Sequence, residues 1–204
     1  MGAVYYMKKD LQAIHNEAMG YHLLMVSDTV LYEYDERETR HVKALMQIDD
    51  NWEKNNYEDF LASRSGSDFN MFFTPYTVRD LKVHGFETFK LKGYDIGFAL
   101  VPIEGGKDIV SVFNNEPEIK YIIDDLLEYA ISKGGTNLDH YDTKLSDMYS
   151  KNGFVEIGRS KWDDKYMNKG WDKEKWGTPD VVFRKLDPSI RSSLKMQNRM
   201  NLVK

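Results

Sequence analysis

The chain has 204 residues, 41% hydrophobic and 13% aromatic, a formal net charge of −5 and no cysteine. That suffices for one ordinary domain with a real core. It excludes disulfides, thiolate metal sites and cysteine nucleophiles, and the acidic balance argues against a general nucleic-acid surface. No run of about 18 apolar residues is present, so no membrane span is expected. The opening residues lack the apolar stretch of a signal peptide, and an intracellular protein is the expectation.

In the first third, Met7, Leu11, Ile14 and Met19 have roughly helical spacing. The segment 21–35 reads as a strand, with Val30, Tyr32 and Tyr34 alternating, and 39–54 as a second amphipathic helix. Ala62–Asp68 is small and polar and reads as a loop.

From Tyr94 the pattern sharpens. Apolar runs at 96–102 and 109–113 flank Glu104-Gly105-Gly106-Lys107, which predicts an antiparallel hairpin. Ile119, Ile122, Ile123, Leu126, Leu127, Ala130 and Ile131 then make one apolar helix face. Asn115 reads as its N-cap, with Glu118 completing a capping-box-like pair and Pro117 in the first turn. Gly134 and Gly135 end it. A strand over 136–142, a short helix over 144–152 stopped by Gly153, and strands over 154–159 and 180–186 follow. The order predicts an α+β, α/β-layered fold: a mixed, mostly antiparallel central sheet flanked by helices.

"LSDMYSKNGFVEIGR" carries more than secondary structure. A Tyr on a short helix, then Lys, Asn, Gly and Phe, then a strand, resembles the fourth helix and sixth strand of GNAT-fold N-acetyltransferases. The hairpin ahead of the long helix resembles the same family, and the stretch to Phe183 is similar to small GNAT-like proteins that phages often encode. The resemblance covers about residues 94–186. It leaves 1–93 as an N-terminal part completing the same domain and 187–204 as a basic C-terminal tail.

The resemblance implies acetyl-CoA lying against the fourth strand, which here assigns Val112, Phe113, Asn114 and Lys120 to the cofactor, and Tyr149 as the acid that protonates the departing thiolate. A phenol suits that task because it stays protonated at neutral pH. The family holds the diphosphate on glycine-rich backbone amides at the start of the long helix. Here "NNEPEIKYII" has no glycine, Pro117 lacks an amide donor, and Glu116 and Glu118 add negative charge. The same residues read equally well as a plain helix start. Asp142 stands where active relatives often carry Asn.

A general base would come from His140, Asp142 or Glu104, of which His140 has the fitting intrinsic pKa. His15, His22, His41 and His84 show no metal-binding spacing, so no metal is expected. Trp162, Trp171 and Trp176 lie in a long charged loop, as a recognition surface or as a small core pinning that loop to the sheet. The tail, with Arg191, Lys195, Arg199 and Lys204, reads as a solvated end, or as a segment that docks on an acidic partner or touches nucleic acid.

Two functions remain. One is a non-catalytic GNAT-fold protein without cofactor, such as a phage particle component in the virion, with protein partners or self-assembly through the N-terminal part or the tail. The other is an active cytoplasmic N-acetyltransferase moving acetyl from acetyl-CoA to an amine.

Overall fold

The computed structural model describes residues 14–16, 21–23, 52–117, 119 and 122–201; of 14–16, 21–23 and 195–201 only the backbone is described. β1 (Ile14–Asn16) and β2 (Tyr21–Leu23) form an antiparallel pair, His15 opposite His22. The main sheet has seven strands: β3 (Trp52–Lys54), β4 (Glu87–Leu91), β5 (Ile96–Ile103), β6 (Gly106–Asn114), β7 (Gly135–Tyr141), β8 (Phe154–Ser160) and β9 (Val181–Leu186). Their order is β3-β4-β5-β6-β7-β9-β8, and every neighbouring pair is antiparallel except β6 with β7. The helices are α1 (Tyr57–Ser65), α2 (Val78–Val83), α3 (Ile123–Ser132), α4 (Leu145–Lys151), α5 (Lys173–Trp176) and α6 (Pro188–Asn201). This is an α+β fold with a mixed, mostly antiparallel sheet.

Helices cover both faces, which explains why β5 is apolar without alternation: Ile96 through Leu100 are all buried. On one face Leu126, Leu127 and Ala130 of α3 and Tyr149 of α4 pack against Phe98, Leu100, Ile109 and Leu138. On the other, Phe60 of α1 and Leu81 of α2 join Phe86, Ala99 and Phe113. Each fully buried large side chain of this kind stabilises the fold by about 1.5–3 kcal/mol.

Several expectations are corrected. Ile14–Asn16 is a strand inside the helix expected over 7–19, whose remaining residues lie outside those described, as do 24–35 of the expected strand. Of the helix expected over 39–54, residues 39–51 lie outside those described and 52–54 are the strand β3, because Trp52 is buried, edge-on to Phe98 at 5.3 Å and stacked with Tyr129 at 5.6 Å. The expected loop at Ala62 is the last turn of α1, capped by Asn56 and anchored by buried Phe60. α3 starts at Ile123, not near Asn115, and has no side-chain cap. Asn115 is engaged elsewhere: Nδ2 donates to Ser63 O at 2.9 Å and to Asp95 Oδ2 at 2.8 Å.

The C-terminal tail is also more than a solvated end. Asp187 Oδ1 accepts from the amides of Ser189 and Ile190, starting α6. Arg191 Nη1 donates to Asn152 O at 2.7 Å, and Nη2 pairs with Glu128 on α3. Gly153 makes room for this: its φ is +84°, and a Cβ there would lie 2.6 Å from Arg191 Cβ.

Candidate active site

β6 and β7 are paired only at their beginnings, Lys107 with Gly135, Asp108 with Asn137 and Ile109 with Leu138. Past Ile109 and Leu138 they part, β6 running on to Asn114 and β7 to Tyr141. Each stays held on its outer side, β6 by β5 and β7 by β9, so the gap is built into the sheet. A bulge on β6 opposite Gly97–Ala99 adds to the divergence, and Ser111 within it has φ +53°. Backbone groups of β6 that face the gap have no strand opposite them.

The gap opens a cleft of about 430 Å³ that reaches both faces of the sheet. On the α3/α4 side it is lined by Leu145, His140 and Tyr149; on the α1/α2 side by Asp139, Tyr141 and the segment Phe72–Tyr76. Strand alternation divides β7 in this way: Leu138 and His140 face α4, Asp139 and Tyr141 face the other side.

Tyr149 is only 5% exposed, yet its hydroxyl has no hydrogen-bond partner among the described residues. Burial above all, with the Asp139 charge added, pushes its phenol above the usual range. A phenol at a cleft wall can donate a proton to a leaving group, and the raised pKa keeps it protonated while making it a weaker acid.

His140 is held differently. Arg184 Nε donates to its Nε2 at 2.8 Å, so Nδ1 carries the proton and donates to Tyr141 O at 2.7 Å. Burial, and further the Arg184 charge, lower its pKa. With the Nε2 lone pair engaged, the imidazole has none left to act as a base; its ring lies 5.0 Å from the Tyr149 ring and packs it in place. The histidine expected as a base thus has both ring nitrogens engaged by described partners. Asp142 is at the surface, paired with Arg159 and accepting from Ser146 Oγ at 2.7 Å. Glu104, in the β5–β6 turn, is exposed.

Of the cofactor candidates, Val112 lines the cleft. Phe113 points into the opposite core, 5.5 Å from Phe60. Asn114 Nδ2 donates to Ile119 O at 2.6 Å. Lys120 lies outside the described residues. In the turn after β6, Asn115 N donates to Asp95 O, Glu116 N to Asn114 Oδ1 and Ile119 N to Glu116 O. Glu116 Oε1 accepts from Asp95 N at 2.8 Å. The described amides of this turn are thus already satisfied.

Sequence reading missed three residues. Asp139 is exposed along the cleft, yet the protein atoms packed around its carboxyl desolvate it enough to raise its pKa. Asp108, one strand over, rises to about 6 through burial and then through the Asp139 charge. Tyr76 is raised as well, by burial first and by both aspartates further down. A carboxylate inside a strand, Asp139 between Leu138 and His140, is the signal that could have found the first of them.

The tryptophans build the rim. Trp171 lies 4.8 Å from Phe72 and from Tyr141 and 4.9 Å from Trp162, and its Nε1 donates to Gly177 O at 2.9 Å. Asn168 Nδ2 donates to Met71 O and Phe73 O, tying the long β8–β9 loop to the cleft wall. Among the described residues no group of three or more ligating side chains could hold a metal, and no helix is long and apolar enough to cross a membrane.

No family model and no curated protein matches the chain. Among solved structures it is similar to N-acetylglutamate synthase from Neisseria gonorrhoeae, complexed with coenzyme A and L-arginine, at 14% identity and a TM-score of 0.40. That match covers 66% of this chain and 32% of the synthase, so the chain spans about a third of that enzyme. It is also similar to a GNAT family acetyltransferase from Elizabethkingia anophelis with acetyl-CoA bound, at 18% identity and a TM-score of 0.40, covering 68% of this chain and 99% of the other.

Proposed function

We propose that the protein is an N-acetyltransferase that moves an acetyl group from acetyl-CoA to an amine. The observation that carries this reading is the parting of β6 from β7 with the Tyr149 phenol, which has no hydrogen-bond partner among the described residues, at the wall of the gap. When bound, acetyl-CoA supplies an activated thioester. The strand edge of β6 along Val110–Val112 offers backbone donors and acceptors for its amide-bearing arm, as an added strand would use them. Asp139 takes the proton the amine loses as its nitrogen bonds to the acyl carbon. Tyr149 gives its proton to the sulfur as the carbon–sulfur bond breaks. The aromatic walls hold water away from both transfers.

The fit is weaker at the diphosphate end. The described amides between Asn115 and Ile119 are engaged within the turn, Pro117 has none, and the first turn of α3 carries Asp124 and Asp125. This favours the second reading, a non-catalytic GNAT-like protein acting on a protein partner through its N-terminal part or α6, as in a phage particle. The Glu116 side chain weighs less in that balance than its place in the sequence suggests, since its carboxylate is turned onto Asp95 N.

Melting with acetyl-CoA and free-thiol release with an amine separate the readings. Saturating cofactor at 100 times its Kd adds about 2.7 kcal/mol of stability. No shift at millimolar acetyl-CoA and no thiol released would reject the enzyme reading.

A further inference from the structure

Arg64 on α1 is a buried cation without an anion. It is 4% exposed, and no carboxylate among the described residues pairs with it. Nη1 donates to Thr74 O at 2.9 Å and, weakly, to Ser111 Oγ at 3.4 Å. Nε is buried with no partner, and Nη2 has none among the described residues. Arg184, the other buried arginine, by contrast donates to His140, Ser150 and Phe154. A desolvated charge left unpaired is costly, and a guanidinium does not escape the cost by losing its proton. Everything Arg64 touches belongs to the cleft: Thr74, Ser111 and Phe73, whose ring centroid is 5.9 Å from the guanidinium carbon, all line it. The charge therefore lies directly behind this part of the wall. Ser111 adds a separate observation. Among the described residues it is the one non-glycine with positive φ, +53°. Such strain persists where the surroundings hold a side chain in a working position. Its Oγ accepts from Arg64, and its own hydrogen goes to no described residue.

We infer that Arg64 and Ser111 form a carboxylate subsite in the cleft wall, so that the small molecule held there carries a carboxylate. The Ser111 hydroxyl donates to it, and the guanidinium behind supplies the missing counter-charge. The subsite is apart from Asp139. The Asp139 carboxyl is shifted by burial alone, whereas the Tyr76 phenol is acted on by Asp139 and by Arg64. The cleft thus has a positive and a negative end, with Tyr76 within reach of both. A ligand with a carboxylate at one end and an amine at the other matches the two, and a cleft of about 430 Å³ suits a small one. On the transferase reading the acceptor is then a small amino acid, its amine at Asp139. The preference for a carboxylate does not need that reading.

The test is calorimetric titration of the full chain at pH 7 without acetyl-CoA. The probes are glycine, 3-aminopropanoate and 4-aminobutanoate, each against its own amide, which keeps the shape and removes the negative charge. At least one acid is expected to bind about 10-fold or more tightly than its amide. Ser111→Gly removes the hydroxyl and suits the positive φ, so it should keep its melting temperature and lower that preference several-fold. Arg64→Gln should abolish the preference; if that variant does not fold, Ser111→Gly decides. Equal binding of every acid and its amide, or an unchanged preference in either folded variant, overturns the inference. A wild-type protein that prefers the acid but releases no thiol when acetyl-CoA is added keeps this inference and loses the transferase reading. One that binds acid and amide alike and releases thiol with both does the reverse.

Discussion

Arg184 donates from Nε to Nε2 of His140 at 2.8 Å, each residue only 6% exposed. The same guanidinium reaches Ser150 Oγ and Phe154 O, both at 2.9 Å, and so ties β9, β7, α4 and β8 together behind Tyr149. Replacing it with Met leaves the Phe154 carbonyl and the imidazole without their donor. Arg184→Met is expected to lose about 3 kcal/mol, seen as a lower urea midpoint at unchanged slope. The pair also has a pH signature. His140 is held neutral, with its pKa lowered by burial, so the unfolded chain takes up a proton below pH 6.5 that the folded chain refuses. This contribution to stability is complete above that pH and is lost as pH falls.

Tyr149→Phe separates chemistry from packing. The hydroxyl makes no described hydrogen bond, so its removal should change stability by less than about 0.5 kcal/mol. As the general acid, its loss should lower the rate about 10²- to 10³-fold. Thiol release and a thermal melt on the same preparation check both. A large drop in melting temperature would mark Tyr149 as structural.

Asp108 behaves in the opposite sense to His140. Its folded pKa of about 6 exceeds the unfolded 3.8, so the folded state binds the extra proton between those values and loses stability as pH rises through 6. Asp108→Asn should therefore stabilise the protein at pH 8 by about 1–2 kcal/mol, an amount reduced for solvent screening. Below pH 4 variant and wild type should melt alike. Paired melts at pH 4 and pH 8 measure the difference.

Gly153→Ala probes the seat of α6. The new methyl meets Arg191 Cβ at 2.6 Å and its backbone Cα at 2.9 Å, at a φ of +84°. Strain and displacement together should cost about 2 kcal/mol or more and free Arg191 from Asn152 O. Faster amide exchange in α6, with β5 protection unchanged, is the expected readout.

The order and type of β5 to β9, α3 and α4 were legible, because they are short runs closed by Gly105, Gly153 and similar breaks, whereas α5 and α6 were read as loop and tail. The helix face of Leu126, Leu127 and Ala130 was equally plain. Where α3 begins was not legible. Asn115 carries a good N-cap side chain, but two distant residues, Ser63 and Asp95, compete for it and win. Trp52 misled for a related reason: helical spacing around it is local, whereas its stacking on Tyr129 is not.

Tyr149 was read from its motif alone, for its short helix, Gly153 and Phe154 are all local signals. The engaged state of His140 could not be read, because the partner that fills its lone pair is 44 residues away. Nor could the acid pair, since Asp108 and Asp139 become neighbours only when β6 and β7 run parallel. A one-dimensional pattern of apolar and turn residues determines which segments become strands and helices, since those preferences are local. Which polar groups are left unpaired in a gap between two strands depends on register and on contacts across the sheet, and only the tertiary structure decides that.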